Sequence, residues 1–125
     1  MALLTTNKGA RAATQDRFVV RSSGRVVFLD AADVDWIEAA ENYVQLHCGQ
    51  ASHLLHVPMN TLEKSLDPDI FLRVHRSTIV NTGHIKELQP GLHAAEYVIL
   101  LRDGTRLRSG RTYRDKLSAL AANPF

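Results

Sequence analysis

The sequence has few of the features that mark secreted or membrane proteins. Its 125 residues include one cysteine, Cys48, which excludes an internal disulfide framework and suits a reducing compartment. No apolar run approaches the ~20 residues that a membrane-spanning helix needs, and the N-terminus lacks the apolar segment of a signal peptide. We therefore expect a cytoplasmic protein that makes no membrane contact through this segment.

Signals for catalysis and cofactor binding are equally scarce. The chain contains no glycine-rich phosphate loop, no serine-elbow motif and no clustered pair of carboxylates. Its histidines are scattered, whereas a metal site needs three or four converging ligands. We therefore predict no enzyme, no catalytic residue, no cofactor and no metal site. A small metal-dependent hydrolase that uses His47, His53 and His56 is a remote alternative.

The composition is that of one globular domain with a polar start. Hydrophobic residues make up 45% and charged residues 22% of the 125 positions, which is ordinary for a domain with a single core. Residues 1–16 are mostly small and polar, and we predict a flexible N-terminal arm or linker there. Residues 17–125 are then the folded domain, and a separate regulatory domain can precede Met1.

From residue 18 onward, short runs of β-forming residues alternate with tight turns. Ser22-Ser23-Gly24 and Asp103-Gly104 are hairpin-turn sequences between such runs. Short strands with tight connections favour antiparallel sheets over βαβ units. The pattern therefore predicts a mostly β fold.

Helical spacing of apolar residues occurs in two places, over 59–66 and 113–120. It predicts two short helices at the flanks of the sheets. A further helical turn is expected around Thr78–Val80. Thr112 followed by Asp115 resembles a capping box at the start of the second helix, with aspartate in place of glutamate.

The net charge is only +2, but the basic residues are unevenly distributed. Residues 102–116 hold six basic and two acidic side chains, whereas the first 101 residues hold nine basic and eleven acidic ones. Arg73, Arg76 and Lys86 form a second basic window that contains no acid. Two basic segments suggest a surface that binds a polyanion. Charge alone, however, favours a merely solvated basic surface.

Phe71–Asn81 is the most informative stretch. Its apolar, strand-like residues flank a polar centre, His75-Arg76-Ser77, which we call the elbow. Core residues on both sides would hold an arginine and a hydroxyl rigidly at the surface. The competing explanation for Arg76 is a salt bridge to Glu38 or Glu41.

Two other segments carry side chains suited to nucleic acid. Asn42 and Tyr43 offer an amide and a phenol in a predicted loop. Arg111 and Arg114 stand at the start of the second predicted helix, where backbone N–H groups favour anions. The competing explanation for Arg111 is an exposed helix cation of little consequence. The residues alone leave DNA binding and a structural role evenly matched.

Several runs, taken together, have the spacing of a known domain family. They are Trp36–Ala39, Asn42–Val44, Phe71–Asn81, Ile85, Asp103–Thr105 and Arg111–Tyr113. These runs resemble the LytTR-type DNA-binding domain of bacterial transcription regulators, and the resemblance covers about residues 18–121. It implies an elongated stack of small antiparallel sheets with two short flanking helices, behind a phosphorylation receiver or a membrane sensor domain.

The resemblance also implies sequence-specific binding of double-stranded DNA at tandem direct repeats. Loops enter successive grooves, with a second copy of the domain as a further partner on DNA. The loop at Asn42 enters one major groove, the elbow meets the backbone and minor groove, and the Arg111 segment enters the next major groove. The implied contacts are Asn42, Tyr43, Arg76, Ser77, Ser109, Arg111, Thr112 and Arg114. His75 is expected to orient the elbow more than to contact DNA.

The sequence departs from the family pattern just before Arg111. Ser109-Gly110 stand where the family usually has an apolar residue and serine. We expect Gly110 to loosen the backbone that presents Arg111. This departure keeps a second function class open, a β-rich protein-interaction module without DNA binding.

Overall fold

Short strands joined by tight turns dominate the structure, a computed structural model that describes residues 3–6, 15–93 and 95–122. The strands are β1 (Leu3–Thr6), β2 (Gln15–Ser22), β3 (Arg25–Asp30), β4 (Trp36–Ala40), β5 (Tyr43–Cys48), β6 (Ala51–Leu55), β7 (Phe71–His75), β8 (Thr78–Asn81), β9 (Ile85–Pro90), β10 (Tyr97–Leu101) and β11 (Arg106–Arg108). The helices are α1 (Met59–Ser65) and α2 (Arg114–Ala121), with 3-10 turns at Ala31–Asp33, Thr82–His84 and Arg111–Tyr113.

The strands form three antiparallel sheets, ordered β1-β2-β3, β6-β5-β4-β8-β7 and β11-β10-β9. The prediction of a mostly β fold, with small antiparallel sheets and two short helices, is confirmed. Both predicted hairpin turns are present. Ser23 and Gly24 take φ angles of 50° and 78° between β2 and β3, and Gly104 takes 95° between β10 and β11. Such tight turns require positive φ. The elongated shape implied by the resemblance stays a prediction.

The five-stranded central sheet packs against a hydrophobic cluster on each of its faces. Ile79 on β8 packs into one hydrophobic cluster with residues of β2 and α1, including Phe18 and Leu62. The next residue, Val80, packs into a second cluster with residues of β10 and α2, including Ile99. Alternate residues of a strand point to opposite faces, so adjacent apolar residues on β8 join both cores. The other elements therefore pack on the central sheet from two sides.

The helical turn expected around Thr78–Val80 is wrong, because these residues belong to strand β8. β8 lies between β4 and β7, and its Ile79 is opposite Ile37 on one side and Arg73 on the other. A helical turn here would leave backbone groups of both neighbouring strands without their ladder partners. Two apolar residues are too short a run for their period to distinguish a strand from a turn.

The two predicted helices are present, and their apolar residues face the cores. The second helix begins differently from the prediction. The capping box expected from Thr112 and Asp115 is wrong, because α2 begins at Arg114, its N-cap is Tyr113, and no side chain caps it. A 3-10 turn precedes α2 and takes the place of a capped first turn. Neither helix in the described ranges is long and apolar enough to cross a bilayer.

The N-terminal segment is only partly described. Leu3–Thr6 forms β1, which pairs with β2 and lies inside the segment predicted to be an arm. β2 begins at Gln15, just before the predicted start of the domain. Residues 7–14 lie outside the described residues. The division into an arm or linker over 1–16 and a domain over 17–125 therefore stays a prediction.

Cys48 lies at the end of β5, partly buried and close to two acids. Burial, together with the negative charges of Asp35 and Asp33, raises the pKa of the Cys48 thiol to about 11. Asp35 is itself buried, and its carboxylate accepts a hydrogen bond from the Gly49 N–H at 2.7 Å. The thiol is therefore neutral, and a neutral thiol is a poor nucleophile.

We predict that the native Cys48 thiol titrates near pH 11, above the ordinary value of 9.0. The stability gained by keeping the thiol neutral is complete below a pH of about 9 and is lost as the pH rises toward 11, because the unfolded thiol ionises first. Thiolate absorbance of native and urea-unfolded protein against pH, with Cys48→Ala as the blank, measures both titrations. Identical titrations in the two states would contradict the prediction.

Candidate nucleic-acid interface

The elbow is the turn between β7 and β8. The pairing register of these strands shifts between Arg73 and His75, so the intervening Val74 has no ladder partner. Such a bulge bends a strand and redirects the residues that follow it. The carbonyl groups around the bulge are consequently available for bonds outside the ladder.

Arg73 fixes the elbow from inside the domain. Its side chain is only 6% exposed, and its guanidinium donates to the Glu63 carboxylate at 2.7 Å and to Asn60 Oδ1 at 2.9 Å on α1. The same guanidinium donates from Nε to the His75 carbonyl at 3.0 Å and from Nη2 to the Arg76 carbonyl. One buried cation thus joins α1 to two carbonyls of the elbow. Arg73 therefore does not belong to the exposed basic window that its charge suggested.

Ser77 and His75 hold each other in the elbow. His75 Nδ1 lies 2.9 Å from Ser77 Oγ and accepts a hydrogen bond from the Ser77 N–H at 3.2 Å. The Ser77 carbonyl in turn accepts from the Ala39 N–H of β4 at 2.9 Å. His75 thus orients Ser77, while the side chain of Arg76 projects from a turn that is fixed on both sides.

The backbone before Arg111 is fixed to the same strand as the elbow. The Gly110 N–H donates to the carbonyl of the bulged Val74 at 2.7 Å, and the Gly110 carbonyl accepts from the Tyr113 N–H at 3.2 Å. A Cβ added to Gly110 would lie 3.3 Å from the His75 ring. The expectation that Gly110 loosens this backbone is therefore wrong, since both of its polar groups are bonded and it packs closely on His75.

Ser109 lies inside the domain instead of at its surface. It is 1% exposed, its hydroxyl accepts from the Tyr97 N–H at 2.9 Å, and its own N–H donates to the Tyr97 carbonyl at 3.0 Å. The expected DNA contact of Ser109 is incompatible with this burial. Strand alternation from buried Leu107 puts Ser109 on the inward face, and this sequence signal was sufficient to place it.

Arg111, Thr112 and Arg114 are exposed around the start of α2. The Arg114 guanidinium lies over the Tyr97 ring at 5.6 Å from its centroid. A cation–π contact of this kind orients the side chain without neutralising its charge. The helix start therefore presents two guanidinium groups and a hydroxyl to solvent.

Arg76 has neither of the ion-pair partners that would explain it structurally. Glu38 bonds to His47 at 3.1 Å instead. Within residues 15–93 and 95–122, neither Arg76 nor Arg111 forms a side-chain ion pair, and Glu41 pairs with neither. The charges of both arginines are thus available to an external anion.

The turn between β4 and β5 presents Asn42 and Tyr43, both exposed. Glu41, just before them, takes a positive φ of 60°, which is uncommon for a residue with a side chain. Backbone conformations of this kind occur often at binding sites. Tyr43 stacks on His56 with 4.4 Å between ring centroids. The loop is therefore an exposed tip whose aromatic residue is held in place.

The structure brings the three predicted contact regions to one end of the central sheet. Ser77 bonds to Ala39 on β4, and the next residue, Ala40, is opposite Tyr43 in the β4–β5 hairpin. On the other side of the elbow, Gly110 bonds to β7. An open groove of about 560 Å³ runs between the elbow, the start of α1 and the segment before α2. The β4–β5 turn and the elbow thus lie at the same end of the sheet, and Gly110 attaches the segment before Arg111 to β7 there.

The three histidines of the hydrolase alternative have separate environments. His47 stacks on Trp36 with 4.0 Å between ring centroids, and His56 stacks on Tyr43. His53 lines an open groove between sheets. Within the described part of the chain, no three His, Cys, Asp or Glu side chains come together in a way that could hold a metal ion.

The chain is similar to a described family and to several of its members. The family described as the LytTr DNA-binding domain matches residues 24–122. The sensory transduction protein LytT of Bacillus subtilis is 30% identical over 108 residues, which are 86% of this chain and 44% of that protein. The transcriptional regulatory protein LytR of Staphylococcus aureus is 40% identical over 62 residues, 50% of this chain and 25% of that protein. The chain thus spans less than half the length of either relative.

The fold is also shared with a solved structure, a LytTr DNA-binding domain from Bacillus cereus. The two superpose with a TM-score of 0.77, covering 86% of this chain and 98% of that one. Their sequences are 20% identical in this alignment, so the likeness shows the fold.

We predict that Arg73→Lys lowers the free energy of unfolding by about 2 kcal/mol, because one ammonium cannot bond to Glu63, Asn60 and both elbow carbonyls at once. Urea denaturation measures the change. The matched control is Arg76→Lys, the exposed arginine of the same turn, which should change stability by less than ~0.5 kcal/mol. Equal unfolding midpoints for the two variants would contradict the role of Arg73.

Proposed function

The chain belongs to the LytTr DNA-binding domain family, and we propose that it reads double-stranded DNA as part of a transcription regulator. Family membership makes DNA binding the function of this domain. The exposed side chains at one end of the central sheet support the finer proposal of sequence-specific recognition by loops that enter successive grooves. The alternative of a β-rich protein-interaction module without DNA binding is not favoured.

One observation carries the proposal: the elbow and the Arg111 segment are fixed to each other, while Arg76 and Arg111 have no ion-pair partner among the described residues. Gly110 bonds to Val74 beside the elbow, and the elbow bonds to β4. A guanidinium can bind a guanine edge or a phosphate through two parallel hydrogen bonds. A backbone held by the main-chain hydrogen bonds of Gly110 and the elbow brings both arginines to one region and lowers the entropy lost on binding.

We assign different roles to these surface residues by their chemistry. Amides suit adenine and guanidinium groups suit guanine, whereas hydroxyls and other cations suit phosphates. Base contacts are assigned to Asn42, Arg76 and Arg111. Phosphate contacts are assigned to Ser77, Thr112 and Arg114, and the Tyr43 phenol supports the Asn42 contact. Phosphate contacts supply most of the affinity and base contacts supply the specificity.

We further propose that the domain works within a longer regulator in the cytoplasm. The relatives are named as a sensory transduction protein and a transcriptional regulatory protein, and both are more than twice as long as the part they share with this chain. A receiver or sensor domain before this segment would then supply the signal. The proposed target is a tandem direct repeat that binds two copies, and the chemistry is recognition without catalysis or a cofactor.

Selection of bound sequences from a random duplex pool tests the target directly. We expect enrichment of a direct repeat whose two half-sites share one face of the duplex, because each domain would read successive grooves. Gel shifts with the full repeat and with a single half-site then show whether two copies bind. Recovery of no enriched sequence would contradict base-specific reading.

We predict that Arg111→Ala weakens binding by about 1–3 kcal/mol and relaxes the preference at one base pair, because it removes a base contact. Arg114→Ala should weaken binding to all sequences evenly and flatten the salt slope by about 1, because it removes a phosphate contact. Fluorescence anisotropy with cognate and mismatched duplexes at several salt concentrations measures both effects.

The control for these variants is Arg102→Ala, which removes an exposed arginine outside the three contact regions. Its affinity and base preference should equal those of the parent. If Arg111→Ala and Arg114→Ala also bind like the parent, neither residue has the assigned role.

A further inference from the structure

We propose that the β2–β3 hairpin and the edge of the central sheet at β6 form an additional phosphate-binding surface, which extends the DNA contact beyond the three loops. This inference rests on the proposed function. The surface is an open groove of about 890 Å³, with Arg21 and Arg25 of the hairpin, His53 and His56 of the sheet edge, and Tyr43 among its lining residues.

The charged residues of this groove are all basic. Among the residues that the structure describes, no aspartate or glutamate lines it, and both arginines are exposed. In the described ranges, neither guanidinium forms an ion pair or lies over an aromatic ring. Two guanidinium groups without a carboxylate among the described lining residues produce a positive potential that favours an anionic occupant.

The groove is continuous with the proposed DNA interface. Tyr43 begins β5 directly after the β4–β5 turn, and its ring stacks on His56, which lines the groove. A duplex that contacts Asn42 therefore lies next to the groove on the side of the hairpin. Its flanking phosphates would be at high effective concentration there, so each contact adds affinity at little further entropic cost.

The shape of the surface favours a long anion over a small one. A second open recess of about 270 Å³ lies at the tip of the hairpin, and Arg21 and Arg25 line both recesses. The two guanidinium groups thus lie along an open surface and not in an enclosed pocket. We call the surface that Arg21 and Arg25 line the track. A small ion in an open track keeps its water, whereas a phosphodiester backbone can follow it.

Part of this surface is outside the family match, which begins at residue 24. Val20 and Arg21 on β2 precede that point and help to form the groove with β6. The track therefore depends on residues that the shared family pattern does not include. It would give this chain a longer footprint on DNA than its three loops provide.

The test compares two double variants that lose the same charge. Arg21→Gln with Arg25→Gln removes both cations of the track. Arg17→Gln with Lys86→Gln removes two cations that do not line it. Anisotropy of a fluorescein-labelled duplex of mixed sequence, titrated at several salt concentrations, gives the salt slope of each protein. A second probe, polyglutamate, reports an acidic protein partner.

We expect the Arg21→Gln, Arg25→Gln variant to reduce the salt slope for DNA by about 2, since each phosphate contact contributes about 0.9. The outside variant should keep the parent slope, and Arg21→Lys with Arg25→Lys should restore most of it. Equal unfolding midpoints in urea show that all variants are folded.

Four results would overturn the inference. Unchanged slopes for the Arg21→Gln, Arg25→Gln variant would show that the track does not contact phosphates. Equal losses in both glutamine variants would show an effect of net charge alone. Binding of polyglutamate that depends on Arg21 and Arg25, without a change for DNA, would assign the track to a protein. If the parent itself does not bind the duplex, the proposed function fails and this inference fails with it.

Discussion

The guanidinium of Arg73 is the interaction on which the elbow depends. A buried cation is costly unless its donors are satisfied, and here a carboxylate, an amide oxygen and two main-chain carbonyls accept from it. The two carbonyls belong to His75 and Arg76, where the bulge and the turn interrupt the ladder. One side chain thus satisfies backbone groups that the sheet leaves open and attaches them to α1. Without it, the elbow would need water or another donor to hold the same shape.

The bulge at Val74 connects the elbow to the segment before Arg111. Because Val74 has no ladder partner, its carbonyl is available to the Gly110 N–H. Gly110 also packs against His75, whose ring orients Ser77. The elbow and the Arg111 segment are therefore parts of one hydrogen-bonded unit, although more than thirty residues separate them in sequence. A unit of this kind fixes the backbone from which the two arginines extend, so less backbone conformational entropy is lost when DNA binds.

The spacing of apolar residues and the residue types in the turns were sufficient to predict most of the fold. The hairpins at Ser23-Gly24 and Gly104 and both helices follow from local signals. The features that sequence reasoning missed depend on contacts between distant residues. Whether Arg73 is a surface cation or a buried one is decided by Glu63 on α1, and Gly110 is ordered by a carbonyl of β7. Ser109 is different, because a local signal could have predicted its burial: it lies two residues after buried Leu107 and so on the same face of the strand. The three loops were predicted as contacts from a resemblance, and the structure adds that they share one end of a sheet.

The number of basic residues therefore indicates less about a nucleic-acid interface than their pairing does. A cation that already has a partner within the protein is not available to DNA. Arg73 and Arg76 are three residues apart and identical in the sequence count, yet one is buried against Glu63 and the other has no ion-pair partner among the described residues. Arg73 holds the backbone of the elbow in place, and Arg76 adds positive charge to its surface. Arg108 is an intermediate case, because it lies 3.5 Å from the Glu96 carboxylate but is largely exposed, whereas Arg111 has no ion-pair partner in the described part of the chain. Buried or paired cations add little to the potential outside the protein, because their fields are cancelled by their partners. Arg76 and Arg111 thus carry charge that is available to a polyanion, whereas Arg73 holds the backbone from which Arg76 extends.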